Sequence, residues 1–266
     1  MSTMSPAPAV KQHPSDFIAD VARQRAELLR KEASDPRRRL LVVGIPGCGK
    51  TYSVCTTFPG VHVLDYDNQL NDPAVQAKLV GYYPMWDAAW VKDSLKLVGS
   101  PIDRLVGVLN VLALKLDATS TVVLDSMSTL GDLFKEFLEL CPESKKDSYW
   151  LWKQWAMGWR TVCTKLKDLP CNVALLAHET EVRDDASGRL EKYGWLLQGK
   201  EFTPRIPAFF TDVVRMTHVV VPTKDGGIER ETWMWQVKPT VDFPYAKSRC
   251  KANALAIPAK WSELVK

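Results

Sequence analysis

The segment Gly44-Ile45-Pro46-Gly47-Cys48-Gly49-Lys50-Thr51 constrains this chain more than any other feature. It has the spacing Gly-x-x-x-x-Gly-Lys-Ser/Thr, and it sits between an apolar run at residues 40–43 and a first helix expected from residue 50 to 57. Glycines let the backbone curl so that successive N–H groups point inward at anionic oxygens. The helix beginning at Gly49 adds its positive N-terminal end. Lys50 is expected to reach the β- and γ-phosphates of a nucleoside triphosphate, and the Thr51 hydroxyl to ligate Mg²⁺. Gly44, Ile45, Pro46, Gly47, Cys48, Gly49, Lys50 and Thr51, with Tyr52 following, form the expected nucleotide-binding set. The alternative is a chance match in a glycine-bearing loop, which the flanking strand and helix argue against.

A length of 266 residues suits one α/β domain with appendages. The net charge of +4 does not imply wholesale coating of nucleic acid, although it leaves room for a local basic patch. Six cysteines include no Cys-x-x-Cys pair and no zinc spacing, so they read as reduced thiols. The first residues have no apolar core of the signal-peptide kind, and no apolar run reaches the ~18 residues of a membrane helix. The expected protein is soluble and cytoplasmic, with no membrane partner.

Residues 1–15, rich in Pro, Ser and Ala, are expected to be disordered. Residues 16–32 place Phe17, Ile18, Val21, Leu28 and Leu29 near helical spacing, so residues 1–36 read as a tail with a short helix. Arg37-Arg38-Arg39 is read as the solvated start of a strand, with a DNA contact as the alternative. Residues 37–266 form the expected catalytic domain. Strands are expected at residues 61–65, 121–125, 172–177, 212–221 and 232–238. Helices are expected at residues 102–116, at 128–168 with a break near Cys141-Pro142, and at 261–265. A β-hairpin turns at Asp184-Asp185-Ala186-Ser187-Gly188. Strands alternating with helices argue for a mainly parallel sheet with helices on both faces.

A phosphate loop of this kind works with a carboxylate at the end of a neighbouring strand, which holds the magnesium water shell. Thr121-Val122-Val123-Leu124-Asp125 supplies it in Asp125; the alternative is an Asp that only caps the next helix. Ser126 follows where many AAA+ ATPases carry Glu, so a catalytic carboxylate must come from elsewhere. Asp65-Tyr66-Asp67-Asn68-Gln69-Leu70-Asn71-Asp72-Pro73 offers Asp67, or else Asp65 and Asp67 cap a turn.

The four apolar residues followed by Asp-Ser, Met-Ser-Thr-Leu resemble the Walker B strand of RecA-type recombinases. In that group a carboxylate just after the second strand activates water, within a stretch similar to Asp-x-Glu-x-x-Leu-Asp-Pro. Asp65, Asp67, Leu70, Asp72 and Pro73 match it with one residue inserted, and Asp67 is a methylene shorter than the usual Glu. The resemblance therefore implies slow turnover. His178, in Ala177-His178-Glu179, resembles the γ-phosphate sensor of phage members of that group; a structural His is the alternative. Lys247 and Arg249, in Ala246-Lys247-Ser248-Arg249, resemble the Lys-x-Arg finger that reaches a neighbouring subunit's γ-phosphate, against a solvated basic turn. Lys200 and Arg205 are weaker candidates.

In order, these elements are similar to the phage-encoded RecA-like P-loop ATPases, including the Sak-type single-strand annealing ATPases. The resemblance implies a RecA-like α/β core with a β-hairpin and antiparallel C-terminal strands. It implies ATP with Mg²⁺, DNA-stimulated hydrolysis, single-stranded DNA as partner, and a homo-oligomer that is a ring or a filament. A single-strand binding protein is a further candidate partner, and the host cytoplasm the expected compartment. Trp150, Trp152, Trp155 and Trp159 fall within one helix; a core or subunit-interface stripe is preferred over base stacking. Arg183 and Arg189 make the hairpin a candidate DNA loop, although its Asp184-Asp185 tip argues against close phosphate contact. Two other readings stay open: an AAA+-type motor or loader acting on protein, and a small-molecule kinase.

Overall fold

Five apolar runs become parallel strands that are buried where helices cover both of their faces. In the computed structural model these are β1 (Arg39–Gly44), β2 (Val61–Asp65), β4 (Thr121–Asp125), β5 (Asn172–Arg183) and β7 (Asp212–Pro222). The remaining strands are β3 (Leu79–Pro84), β6 (Leu190–Trp195), β8 (Glu229–Gln236) and β9 (Ala256–Pro258). The structure describes residues 35–85, 100–184, 186–199, 202–222 and 229–266, together with Arg23 and Glu27. The helix expected at residues 16–32 lies outside the described residues, Arg23 and Glu27 apart.

The sheet order is β3-β2-β4-β5-β1-β7-β8-β9, with β6 paired to β5. Strands β3 through β7 along that path run parallel, and β8 and β9 return antiparallel. One strand, β5, therefore separates β1 from β4. All the parallel strands end at one edge, which collects the loop after Gly44 with the ends of β2 and β4.

Alternation along β1 sorts the core. Leu41 and Val43 face one apolar layer with α3 (Pro101–Ala113), α4 (Met127–Leu140) and α5 (Ser148–Asp168). Leu40 and Val42 face the other, with α1 (Lys50–Thr57), Trp235 of β8 and α6 (Trp261–Leu264). The short α2 (Pro73–Gln76) follows Asp72, whose side chain caps it by accepting from the Ala74 N–H. A 3₁₀ segment spans Thr203–Phe209.

Four of these elements carry no matching expectation: β3, α2, the 3₁₀ segment and β9. Two expectations change. Arg38 and Arg39 are buried rather than solvated, and neither is placed to touch DNA. Arg38 pairs with fully buried Asp212 at 3.2 Å and also donates to the Leu264 carbonyl; Arg39 donates to the Lys167 carbonyl. Within α5, Trp155 and Trp159 are core side chains, while Trp152 is 41% exposed and stands outside the stripe.

Candidate active site

The loop after β1 depends on missing side chains. A Cβ on Gly44 would lie 2.7 Å from the Cys48 Sγ and 3.1 Å from the Met216 carbonyl oxygen. Gly49 has φ of +79° and sits against the Trp233 ring, so a side chain there would be both strained and blocked. Helix α1 starts at Gly49 with no side-chain cap, leaving its first N–H groups to an anion. Lys50 bends back and donates to the carbonyls of Gly44 and Ile45 at 2.8 and 2.9 Å. Burial holds its ammonium below the usual lysine range, against the opposing pull of Cys48, Asp125, Asp67 and Glu179.

Opposite the loop, β2 and β4 end level with each other at Asp65 and Asp125. Thr51 Oγ1 donates to Asp125 Oδ2 at 2.6 Å. Burial, with Asp67 and Asp65 nearby, pushes the Asp125 carboxyl up to about 7 despite that hydrogen bond. Ser126, not Asp125, caps α4. Asp65 closes the turn after β2 by accepting from the Asn68 N–H at 2.8 Å, and it also accepts from the Tyr82 hydroxyl.

Asp67 has a different environment. Its Oδ1 accepts from the hydroxyls of Ser126 and Thr129, and its Oδ2 lies 3.4 Å from His178 Nε2. Burial would raise its pKa, but hydrogen bonds from His178, Thr129 and Ser126 outweigh it and hold the carboxyl below its ordinary value. His178 is the residue of β5 level with Gly44. Its backbone N–H donates to Ser128 Oγ at 3.0 Å.

Lys50, Thr51, Asp65, Asp67, Asp125 and His178 thus line one cleft of about 280 Å³, with Tyr52 at its rim, 46% exposed. Lys247 and Arg249 are not part of it. Lys247 pairs with Val213 near the opposite end of the strands, and Arg249 donates to the Arg37 carbonyl. Arg205 is exposed on the 3₁₀ segment, and Lys200 lies outside the described residues. Sequence reasoning gave no role to Ser126, Ser128 or Thr129, although a Ser at the start of a helix is a readable N-cap signal. It also missed the Glu179–Arg215 pair beside the loop, for which no local signal exists.

The donor set fits magnesium. Thr51 and Asp125 offer hard oxygen ligands, and Asp65 and Asp67 add negative charge beside them. Among the described residues no group of three or more His, Cys, Asp or Glu could hold a metal alone, so phosphate oxygens and water would complete the shell. Bound there, the ion would neutralise charge building on the terminal phosphate.

A phosphate loop on a central strand, an Asp-bearing strand one position removed, and a parallel sheet with antiparallel C-terminal strands define a P-loop nucleotide-binding fold. The profile of a protein family described as "AAA domain" matches residues 37–250, and the chain belongs to that family. No curated protein matches it in sequence. Among solved structures, the RadB recombinase is similar at 11% identity over 75% of this chain and 87% of that one, with a TM-score of 0.35. The flagellar accessory protein FlaH from Methanocaldococcus jannaschii is similar at 10% identity over 86% and 88%, with a TM-score of 0.38. Among the described residues no helix is long and apolar enough to cross a membrane.

Proposed function

We propose that this chain binds ATP with Mg²⁺, hydrolyses it slowly, and couples turnover to the handling of single-stranded DNA in phage recombination or replication. The observation that carries the reading is the position of His178. It faces Asp67 in the cleft, and its own strand continues directly into the β5–β6 hairpin. One short segment therefore joins the phosphate-facing groups to a projection beyond the sheet, about 16 Å long at roughly 3.3 Å per residue.

In this mechanism Lys50 leaves the Gly44 and Ile45 carbonyls for the β- and γ-phosphate oxygens, and α1 N–H groups hold the β-phosphate. Asp67, kept ionised by three donors, accepts a hydrogen bond from the attacking water and orients it. Its low basicity fits water positioning better than proton abstraction, and it is consistent with slow turnover. His178 takes the γ-phosphate as partner and thereby changes its contact with Asp67. Lys247 and Arg249 lie far from their own chain's loop, as residues that complete a neighbour's site must in a head-to-tail ring or filament. A single-strand binding protein is a candidate second partner.

The test is ATP hydrolysis with and without single-stranded DNA at one fixed salt concentration, alongside the mass of the protein in solution. Stimulated turnover by an oligomer is the expected result. Absence of DNA binding in the presence of ATP and Mg²⁺ overturns the DNA reading.

A motor acting on a protein is the second reading. It is favoured by the hairpin end, where Arg183 is held by Glu181 and the Gly188 carbonyl, and Asp184 takes the Ser187 N–H and hydroxyl. Stimulation by a protein client in place of DNA selects it.

A further inference from the structure

Glu179 and Arg215 stand on the two strands that flank β1, at the level where β1 ends and the phosphate loop begins. Glu179 follows His178, which is level with Gly44; Arg215 is level with Val43. With β1 curling away, their side chains meet: Arg215 Nε donates to Glu179 Oε2 at 2.6 Å, and a terminal nitrogen donates to Oε1 at 2.9 Å. The Glu179 side chain is only 5% exposed, so this is a largely dehydrated, two-point pair. The same guanidinium lies 3.8 Å from the centre of the Tyr193 ring on β6 and 3.6 Å from Asp242 Oδ2 in the β8–β9 connection. Two backbone bonds run parallel to these contacts: the Tyr193 N–H to the Asp242 carbonyl, and the Leu196 N–H to the His178 carbonyl, both 2.7 Å.

One side chain thus gathers the exit of β5, the returning strand β6, strand β7 and the connection that carries Lys247 and Arg249. The proposed mechanism gives it no role. Glu179 also adds negative potential at Lys50.

We infer that Arg215 is a positioning residue, which fixes His178 against the phosphate loop and transmits its position to the 237–255 connection. The inference rests on the proposed hydrolysis. His178 is tied by its N–H to Ser128 on α4 and by its carbonyl to Leu196 just after β6, and Glu179, its immediate neighbour, links that point across to Arg215 on β7. Removing the guanidinium leaves the Glu179 carboxylate buried without its partner, so the β5 exit must move toward water. Lys50, Thr51 and Asp125 are held by other bonds and stay in place. Binding of a nucleotide lacking the γ-phosphate is then preserved while turnover is lost.

The test is Arg215→Gln, with Arg215→Lys as the charge-retaining variant, in the full chain. Two readouts are used. The first is kcat for ATP together with ADP affinity from a fluorescent ADP analogue. Displacement of a reacting group by about 1 Å can cost up to about a hundredfold, so the expected result for Arg215→Gln is a fall in kcat of tenfold or more, with ADP affinity within about twofold. Arg215→Lys restores part of the loss. The second readout, hydrogen exchange, does not depend on activity: residues 178–183 and 242–249 lose protection together, while β4 keeps it. Unchanged kcat, or loss of ADP binding in step with kcat, overturns the inference. So does exchange that rises at only one of the two segments, or throughout the domain. A wild-type chain with no hydrolysis refutes the functional reading instead, and the exchange pattern still decides the positioning role.

Discussion

The two ends of the parallel sheet treat buried charge in opposite ways. At the end where β1 and β7 begin, fully buried Asp212 accepts from Arg38, from the hydroxyls of Thr211 and Ser248, and from the Arg249 N–H. Every contact belongs to the chain, and together they tie the first strand to segments near the C-terminus. At the other end Asp65, Asp67 and Asp125 crowd together, and Lys50 spends its donors on loop carbonyls. The first arrangement is complete as it stands; the second, in the proposed function, is completed by nucleotide and Mg²⁺. That contrast separates structural charge from functional charge better than burial alone.

The contrast can be broken by substitution. Asp212→Ala strands Arg38 in the interior, and loss of one partner from a buried pair costs about 3–5 kcal/mol, read as a lower midpoint in urea unfolding. Asp125→Asn is the opposite case. It relieves like-charge crowding, so without nucleotide the variant unfolds within about 1 kcal/mol of wild type, while ATP hydrolysis with Mg²⁺ falls by about 10²–10³. If Asp125→Asn destabilised as Asp212→Ala does, the division would fail. Asp67→Asn keeps the Ser126 and Thr129 contacts but weakens the water-orienting acceptor; a loss of about a hundredfold in kcat with little change in ATP affinity is expected from steady-state kinetics. The smallest stability effect belongs to exposed Lys247: Lys247→Ala should melt within about 0.5 kcal/mol of wild type. Its turnover drops only where subunits complete one another, which mixing the variant with Lys50→Ala subunits would reveal.

The gathering of the glycine loop and the carboxylates at one end of the sheet was largely legible in the chain because its signals are local. Glycine spacing and four apolar residues ending in Asp125 each announce a turn at a strand tip, whereas the strand expected to stop before His178 runs on through Ala-His-Glu to Arg183. The opposite end was not. Arg37-Arg38-Arg39 looks solvated until Asp212, distant in the chain, arrives beside it, and only tertiary contact could reveal that. Strand β3 escaped notice for another reason: it is a short edge strand with Gly81 inside it and Pro84 at its end, both poor strand formers. The Trp stripe was read one residue too widely, since Trp152 lies past the rim of the face that Trp155 and Trp159 bury. Glu179 and Arg215 are 36 residues apart in the chain, and no periodicity marks such a pair.

The most direct test of the account is calorimetric titration of ATP with Mg²⁺ into the wild-type chain and into Lys50→Ala. One site per chain is expected for wild type, with a loss of most of that binding in the variant and both proteins folded. Equal binding by the two would contradict the assignment of residues 44–51 as the phosphate site.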